Sequence, residues 1–283
     1  MKIPKEITVG VCVNDPSVVD GAQFTVEKYV HALRRIALHG YQAIEYSHVA
    51  HLSEGECRKI DAETRRLGMR SWSIHSEHLN GADDAAVREY YRIQTICAAN
   101  TAALGAKVMV FHPPNAALSA EKKAEVIRRV ADICGEHGVR AAIENVNRPV
   151  GEFCELVRLA NHSNLGYNID VGHAQLLEGP VEVMTQMGTR IWTTHLQDNF
   201  GRTDDHLPPG IGILDWRSIL RVLWQSGYDG PLLVELTGGG VKAHRSVEAL
   251  RGLSLEKEQA MAIAYLRYIH RVLLEGHPFG VDC

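Results

Sequence analysis

Arg140-Ala141-Ala142-Ile143-Glu144-Asn145-Val146 is a short apolar run with a carboxylate set inside it. An unpaired carboxylate is very costly in such a place, so it calls for a cation, a donor or a proton. Just upstream, Glu121–His137 places Val126, Ile127, Val130 and Ile133 on one helical stripe, and Gly138 closes it. This unit of helix and β-rich run recurs along the chain. The runs are Ile7–Val13, Gln42–Tyr46, Met69–His75, Lys107–His112, Arg140–Val146, Asn164–Asp170, Arg190–Leu196 and Pro231–Leu236. Between them lie the helical stretches Phe24–Leu38, Ala85–Leu104, Trp216–Gln225 and Glu258–Leu274, with shorter ones after Gly151 and Pro180. Eight strand signals alternating with helices predict a closed (β/α)8 barrel rather than two doubly wound domains. Residues 1–283 are read as one domain, because no Pro-, Gly- or Ser-rich linker divides them.

Composition narrows the function. Of 283 residues 45% are hydrophobic, a share suited to a globular chain and not to a disordered one. Thirty basic and thirty-four acidic side chains leave a net charge of −4, which excludes capture of nucleic acid or anionic lipid by bulk charge. No apolar run approaches the roughly 18–20 residues of a membrane span. No apolar h-region follows the opening Met1-Lys2-Ile3-Pro4-Lys5-Glu6, and six scattered cysteines form no C-x-x-C pair. A cytoplasmic protein with reduced thiols is therefore expected. There is no G-x-G-x-x-G after the first run and no P-loop, so nucleotide readings lose their main support. Gly238-Gly239-Gly240 after the eighth run is a weak signal for a phosphate contact.

In a parallel barrel the working face is the C-terminal end of the strands. There the chain gathers metal-capable side chains: His75, His112, Glu144, Asp170 with His173, His195 and Glu235, and Asp204 and His206 in the loop after the seventh strand. Period-two parity puts Ser71, Ser73 and His75 on one face, and likewise Ile191, Thr193 and His195. One such histidine is usually a hydrogen-bonded or surface residue. Six or more converging polar tips predict a divalent-metal site within the set Glu144, Asp170, His195 and Glu235. Oxygen and nitrogen donors without thiolate suit Mn²⁺, Mg²⁺, Co²⁺ or Zn²⁺.

These segments carry a family resemblance. Ala142-Ile143-Glu144-Asn145, Asn168-Ile169-Asp170-Val171-Gly172-His173-Ala174, His195-Leu196-Gln197-Asp198-Asn199, Asp205-His206-Leu207-Pro208-Pro209-Gly210-Ile211-Gly212 with Asp215-Trp216, and Gly230-Pro231-Leu232-Leu233-Val234-Glu235-Leu236 resemble the xylose-isomerase-like TIM-barrel superfamily of sugar phosphate isomerases and epimerases. The resemblance implies one metal held by Glu144, Asp170, His195 and Glu235, with Glu144 and Glu235 also exchanging the substrate proton. A metal-stabilised enediolate would carry that transfer. His173 reads as a metal or substrate contact, and Asn145 and Asp198 as groups that orient ligands. Glu45 is a weaker candidate, with a plain salt bridge as its bland alternative.

A second branch of the superfamily, the AP endonucleases with three zinc ions, uses further ligands that match His75, His112, His173, Asp204 and His206. Metal-dependent phosphodiester hydrolysis is thus the alternative, and a keto-acid dehydratase or aldolase on the same barrel is another. The sugar enzyme ranks first. Its loop Asp205-His206-Leu207-Pro208-Pro209-Gly210 and turn Asp170-Val171-Gly172-His173 look more like the sugar-enzyme members. No aromatic-plus-arginine cluster is placed to wedge a duplex. The expected partner is a small sugar or sugar phosphate, with Arg148, Arg202 and Arg245 as rim contacts, no membrane, and nucleic acid ranked below. Exposed helix faces on barrels often support dimers, so a homo-oligomer is expected by analogy.

Overall fold

The computed structural model describes residues 3–13, 25–114, 117–146, 148–237 and 252–275; Gly238-Gly239-Gly240, Arg245 and Cys283 lie outside them. Eight strands appear within two residues of the expected runs: β1 (Val9–Val13), β2 (Ala43–Ser47), β3 (Arg70–His75), β4 (Val108–Phe111), β5 (Arg140–Glu144), β6 (Leu165–Asp170), β7 (Ile191–His195) and β8 (Leu232–Val234). They form one sheet in the order β7-β6-β5-β4-β3-β2-β1-β8. The ladders are parallel from β7 round to β8. β7 then meets β8 through a parallel bridge between Leu196 and Val234, with Leu196 N donating to Leu233 O at 2.8 Å. The sheet closes on itself, as the alternation predicts.

Helices α1 (Val26–Leu38), α2 (Glu54–Arg66), α3 (Asp84–Ala103), α4 (Ala120–Glu136), α5 (Val150–Ala160), α6 (Val171–Gln175), α7 (Pro180–Met187), α8 (Trp216–Gln225) and α9 (Leu255–Glu275) pack around it. Local chemistry sets their ends. Ser53 and Glu56 form a capping box at the start of α2, and Asp83, Ser119 and Asp215 cap α3, α4 and α8. Gly138 leaves α4 with φ +67°, a conformation that favours glycine and turns the chain into β5. The core lies between the outer face of the sheet and the helices, where Ile44, Ile74, Met109, Ile143 and Ile169 are fully buried. No described helix is long and apolar enough to cross a membrane.

Two strands break the period-two parity. Ile44 pairs with Ser71 but Glu45 pairs with Ser73, so Trp72 is an extra residue in β3. Likewise Tyr167 pairs with Ile191 but Asn168 with Thr193, which makes Trp192 the extra residue in β7. Each bulge turns two successive side chains into the barrel. Trp72 packs on Val108, Val110 and Ala142 and donates to Thr193 Oγ1 at 3.2 Å. Trp192 lies over Gly166, where an added Cβ would sit 2.4 Å from the indole. Ser71 therefore does not share a face with Ser73 and His75: its hydroxyl reaches Tyr46 and Asp61 on the helix side. Ile191 likewise joins the outer core instead of the row of Thr193 and His195.

The bulge makes Ser71 and Ser73 inequivalent. Ser71→Ala should cost about 1 kcal/mol in urea unfolding and leave cation affinity at the strand tips unchanged. A fall in that affinity, read by calorimetric titration, would contradict the bulged register.

Candidate metal and catalytic centre

Glu144 ends β5 and is 1% exposed. Its Oε2 lies 3.2 Å from His195 Nδ1, 3.4 Å from His75 Nε2 and 3.6 Å from His112 Nε2, and its Oε1 lies 3.2 Å from His173 Nδ1. Asn168, one strand over, donates to Oε2 at 3.1 Å. Four imidazoles from separate parts of the chain thus surround one buried carboxylate. His195 Nδ1 also lies 3.1 Å from Glu235 Oε2, just past β8.

Asp170 ends β6 and caps α6, accepting from His173 N at 2.8 Å. The short helix, not foreseen in the sequence reading, is what turns His173 back toward Glu144. Asn145 clamps the Asp170 backbone from both sides, donating to its carbonyl and accepting its N–H, each at 2.8 Å. Gly172 is required by close approach: a Cβ there would meet Gln197 at 2.2 Å. Gln197 in turn donates to Asp204 Oδ1 at 2.5 Å. Asp204 Oδ2 bridges His173 Nε2 at 3.1 Å and His206 Nε2 at 3.0 Å.

Asp198 holds the loop that carries Asp204 and His206. It is fully buried and accepts from the N–H groups of Gly210 and Leu214 and from the Trp216 indole at 2.9, 3.2 and 2.8 Å. His206 is held at φ +47° and His48 at φ +59°, a sparsely populated conformation for such residues. Both line a cavity of about 370 Å³ with Ser47, His75, Ser76, Glu77, His78, His112, Glu144, Val146, His173, Asp204 and Glu235. A larger hollow of about 510 Å³ lies by the N-terminal ends of β1 and β8, lined by Ile7, Trp224 and Tyr228 among others, away from these groups.

All nine predicted ligand residues come together. Donor atoms lie within 4.8 Å of one another in the groups Glu144–Asp170–His195–Glu235, His75–His112–Glu144 and His173–Asp204–His206. A divalent cation fits this set on two grounds. The donors are oxygens and imidazole nitrogens. Asp170 Oδ2, His173 Nδ1, His195 Nδ1 and His206 Nδ1 are buried and make no hydrogen bond. Cys12 Sγ lies near His195 and Glu235 too, but burial and the Glu45 charge hold its pKa well above the usual thiol value, so it stays protonated. Arg148 and Arg202 are not among the described residues lining the cavity. Sequence reasoning gave no task to Asn168, Gln197, His48, Glu77 or His78; the polar positions in the β6 and β7 motifs were the available signal for the first two.

Neighbouring charges shift the titration of the cluster. Burial alone would raise Glu144, but the charges of His195 and His112 and the close His173 ring hold it well below the usual range. Burial is likewise outweighed at Glu235, lowered to about 2 by His195 and His206. Burial would lower His173, yet the Asp170 charge, the bond to Asp204 and the nearby Glu144 carboxylate push it to about 12. His206 rises to about 9, chiefly through its bond to Asp204 against burial. Asp170 is raised to about 6 by burial.

The family description "Xylose isomerase-like TIM barrel" matches residues 33–259. The chain belongs to this family. It is 34% identical over 108 residues to the uncharacterized protein y4fM of Sinorhizobium fredii, covering 36% of this chain and 35% of that protein. It is 24% identical over 124 residues to an inosose isomerase of Halalkalibacterium halodurans, covering 39% of this chain and 44% of that one. The chain thus spans less than half the length of these curated relatives. A D-tagatose 3-epimerase-like protein has the same fold, with TM-score 0.76 at 18% identity over 95% of this chain and 99% of that one.

Protonated imidazoles compete with a cation, so affinity for Mn²⁺ or Co²⁺ should rise with pH from 6 to 9, by about tenfold per pH unit for each proton displaced. Chelator competition at several pH values checks this. A flat profile would contradict the raised imidazoles.

Proposed function

We propose that the protein is a divalent-metal-dependent sugar isomerase or epimerase that moves a proton next to a carbonyl. The observation that carries this reading is the convergence of Glu144 and Glu235, from β5 and from just past β8, on one imidazole nitrogen at 3.2 and 3.1 Å. Exchange at a carbon beside a carbonyl needs one group to remove the proton and another to return it. Glu144 and Glu235 reach that nitrogen from different strands of the barrel, so one can take the proton and the other return it. Glu144, Asp170, His195 and Glu235 would hold the cation. The cation would polarise the carbonyl and offset the charge that develops when the proton leaves.

The cavity wall supports a polyhydroxy substrate. Ser47, His48, Ser76, Glu77 and His78 offer donors and acceptors on the side of β2 and β3. The described lining holds neither Lys nor Arg, which favours a neutral sugar over a sugar phosphate. The epimerase-like structural neighbour and the inosose isomerase relative agree with this class.

One observation favours a second reading. The nine donors form three groups, two of them sharing Glu144, an arrangement able to hold three cations around a phosphodiester. The readings separate in two assays. With Mn²⁺ or Co²⁺ in D₂O, a panel of free and phosphorylated ketoses should take up deuterium at the carbon beside the carbonyl. Glu235→Gln should slow that exchange by about 10²–10⁴-fold with an unchanged circular dichroism spectrum. Retained exchange would refute the role of Glu235. Incision of abasic-site duplex DNA with Zn²⁺, absent from Glu144→Gln, would establish the second reading instead.

A further inference from the structure

Glu45 is a buried acid without a task in this scheme. It sits in β2 opposite Cys12 of β1 and Ser73 of β3, and it is fully buried. Its Oε1 lies 2.7 Å from His195 Nε2 and accepts from Cys12 Sγ at 3.1 Å. Its Oε2 accepts from Ser73 Oγ at 2.6 Å. Strands β1, β3 and β7 therefore all hold one carboxylate of β2, and the ion pair formed at it is with His195. The β3 bulge makes this arrangement, because the extra residue Trp72 sets Ser73 opposite Glu45.

A buried carboxylate is retained where it is paired and hydrogen-bonded. Here its partner is a residue of the cation site, and the two imidazole nitrogens are treated differently. Nε2 faces Glu45. Nδ1 makes no hydrogen bond and faces Glu144 and Glu235. A bond at one ring nitrogen decides which lone pair remains free at the other.

We propose that Glu45 is a positioning residue: it accepts the Nε2 proton of His195, fixes the plane of the ring, and so presents the Nδ1 lone pair to a cation between Glu144 and Glu235. Ser73 and Cys12 fix the rotamer of Glu45 in turn. The inference rests on the cation reading above but not on the identity of the substrate.

The test uses the full chain and metal alone. Co²⁺ titration followed by its visible absorption measures affinity and coordination. Proton–nitrogen NMR of histidine-labelled, Zn²⁺-loaded protein locates the His195 proton. The wild type should show a proton on Nε2, protected from exchange. Glu45→Ala should lose that protection and bind Co²⁺ about 10–100-fold more weakly. Glu45→Gln keeps an acceptor oxygen, so it should retain the Nε2 proton with a smaller loss of affinity. Ser73→Ala should fall between wild type and Glu45→Ala. If Glu45→Ala does not fold, Glu45→Gln and Ser73→Ala decide the matter. Wild-type affinity and an unchanged Nε2 signal in the folded variants overturn the proposal, as does a His195 proton on Nδ1 in the Zn²⁺-loaded wild type. A wild type that binds no Co²⁺ overturns it together with the cation reading. A wild type that binds Co²⁺ but exchanges no sugar proton overturns only the proposed function.

Discussion

Burying the charge of Glu144 is the constraint on which the site depends. A carboxylate that is 1% exposed cannot be hydrated, so its neighbours must supply donors, positive charge or a cation. They are imidazoles from the ends of β3, β4, β6 and β7, and none is adjacent to Glu144 in the chain. Only an arrangement in which every strand ends at the same rim can bring them there. The parallel closed barrel provides it, and the chemistry is lodged where the strands stop.

Protons and a cation are alternative ways to balance the same cluster. Protonation of the raised His173, His195 and His206 offsets the carboxylate charge. Their Nδ1 atoms nonetheless lie buried beside carboxylate oxygens and make no hydrogen bond. The same carboxylate-flanked positions suit a proton or a cation. Around it, Asn145, Gln197, Asp198 and Glu45 each bond a ligand or the backbone that carries it, so the donors are held in place before any cation arrives.

Much of this was legible in the sequence. Glu144 and Glu235 announced themselves because a carboxylate inside an apolar run has few explanations, and the strands around them were marked by β-rich runs and closing glycines. The faces of β3 and β7 were not legible. Parity counting assumes an uninterrupted pleat, and nothing in Ser71-Trp72-Ser73 or Ile191-Trp192-Thr193 signals the extra residue. Glu45 was visible as an acid at the end of the second run. Its partner lies 150 residues away across the barrel, so the salt bridge and the positioning role could not be told apart. Arg148 and Arg202 were placed by loop position alone, and the described cavity is lined without them.

The central claim is that a cation completes the ring of donors around Glu144. Anomalous diffraction from crystals grown with Mn²⁺ tests it most directly. The account predicts a peak bonded to Glu144, Asp170, His195 and Glu235 together; one peak fits the sugar enzyme, and added peaks at His75–His112 and at Asp204–His206 fit the hydrolase. No anomalous density there, with the carboxylates paired to protonated imidazoles alone, would contradict the account.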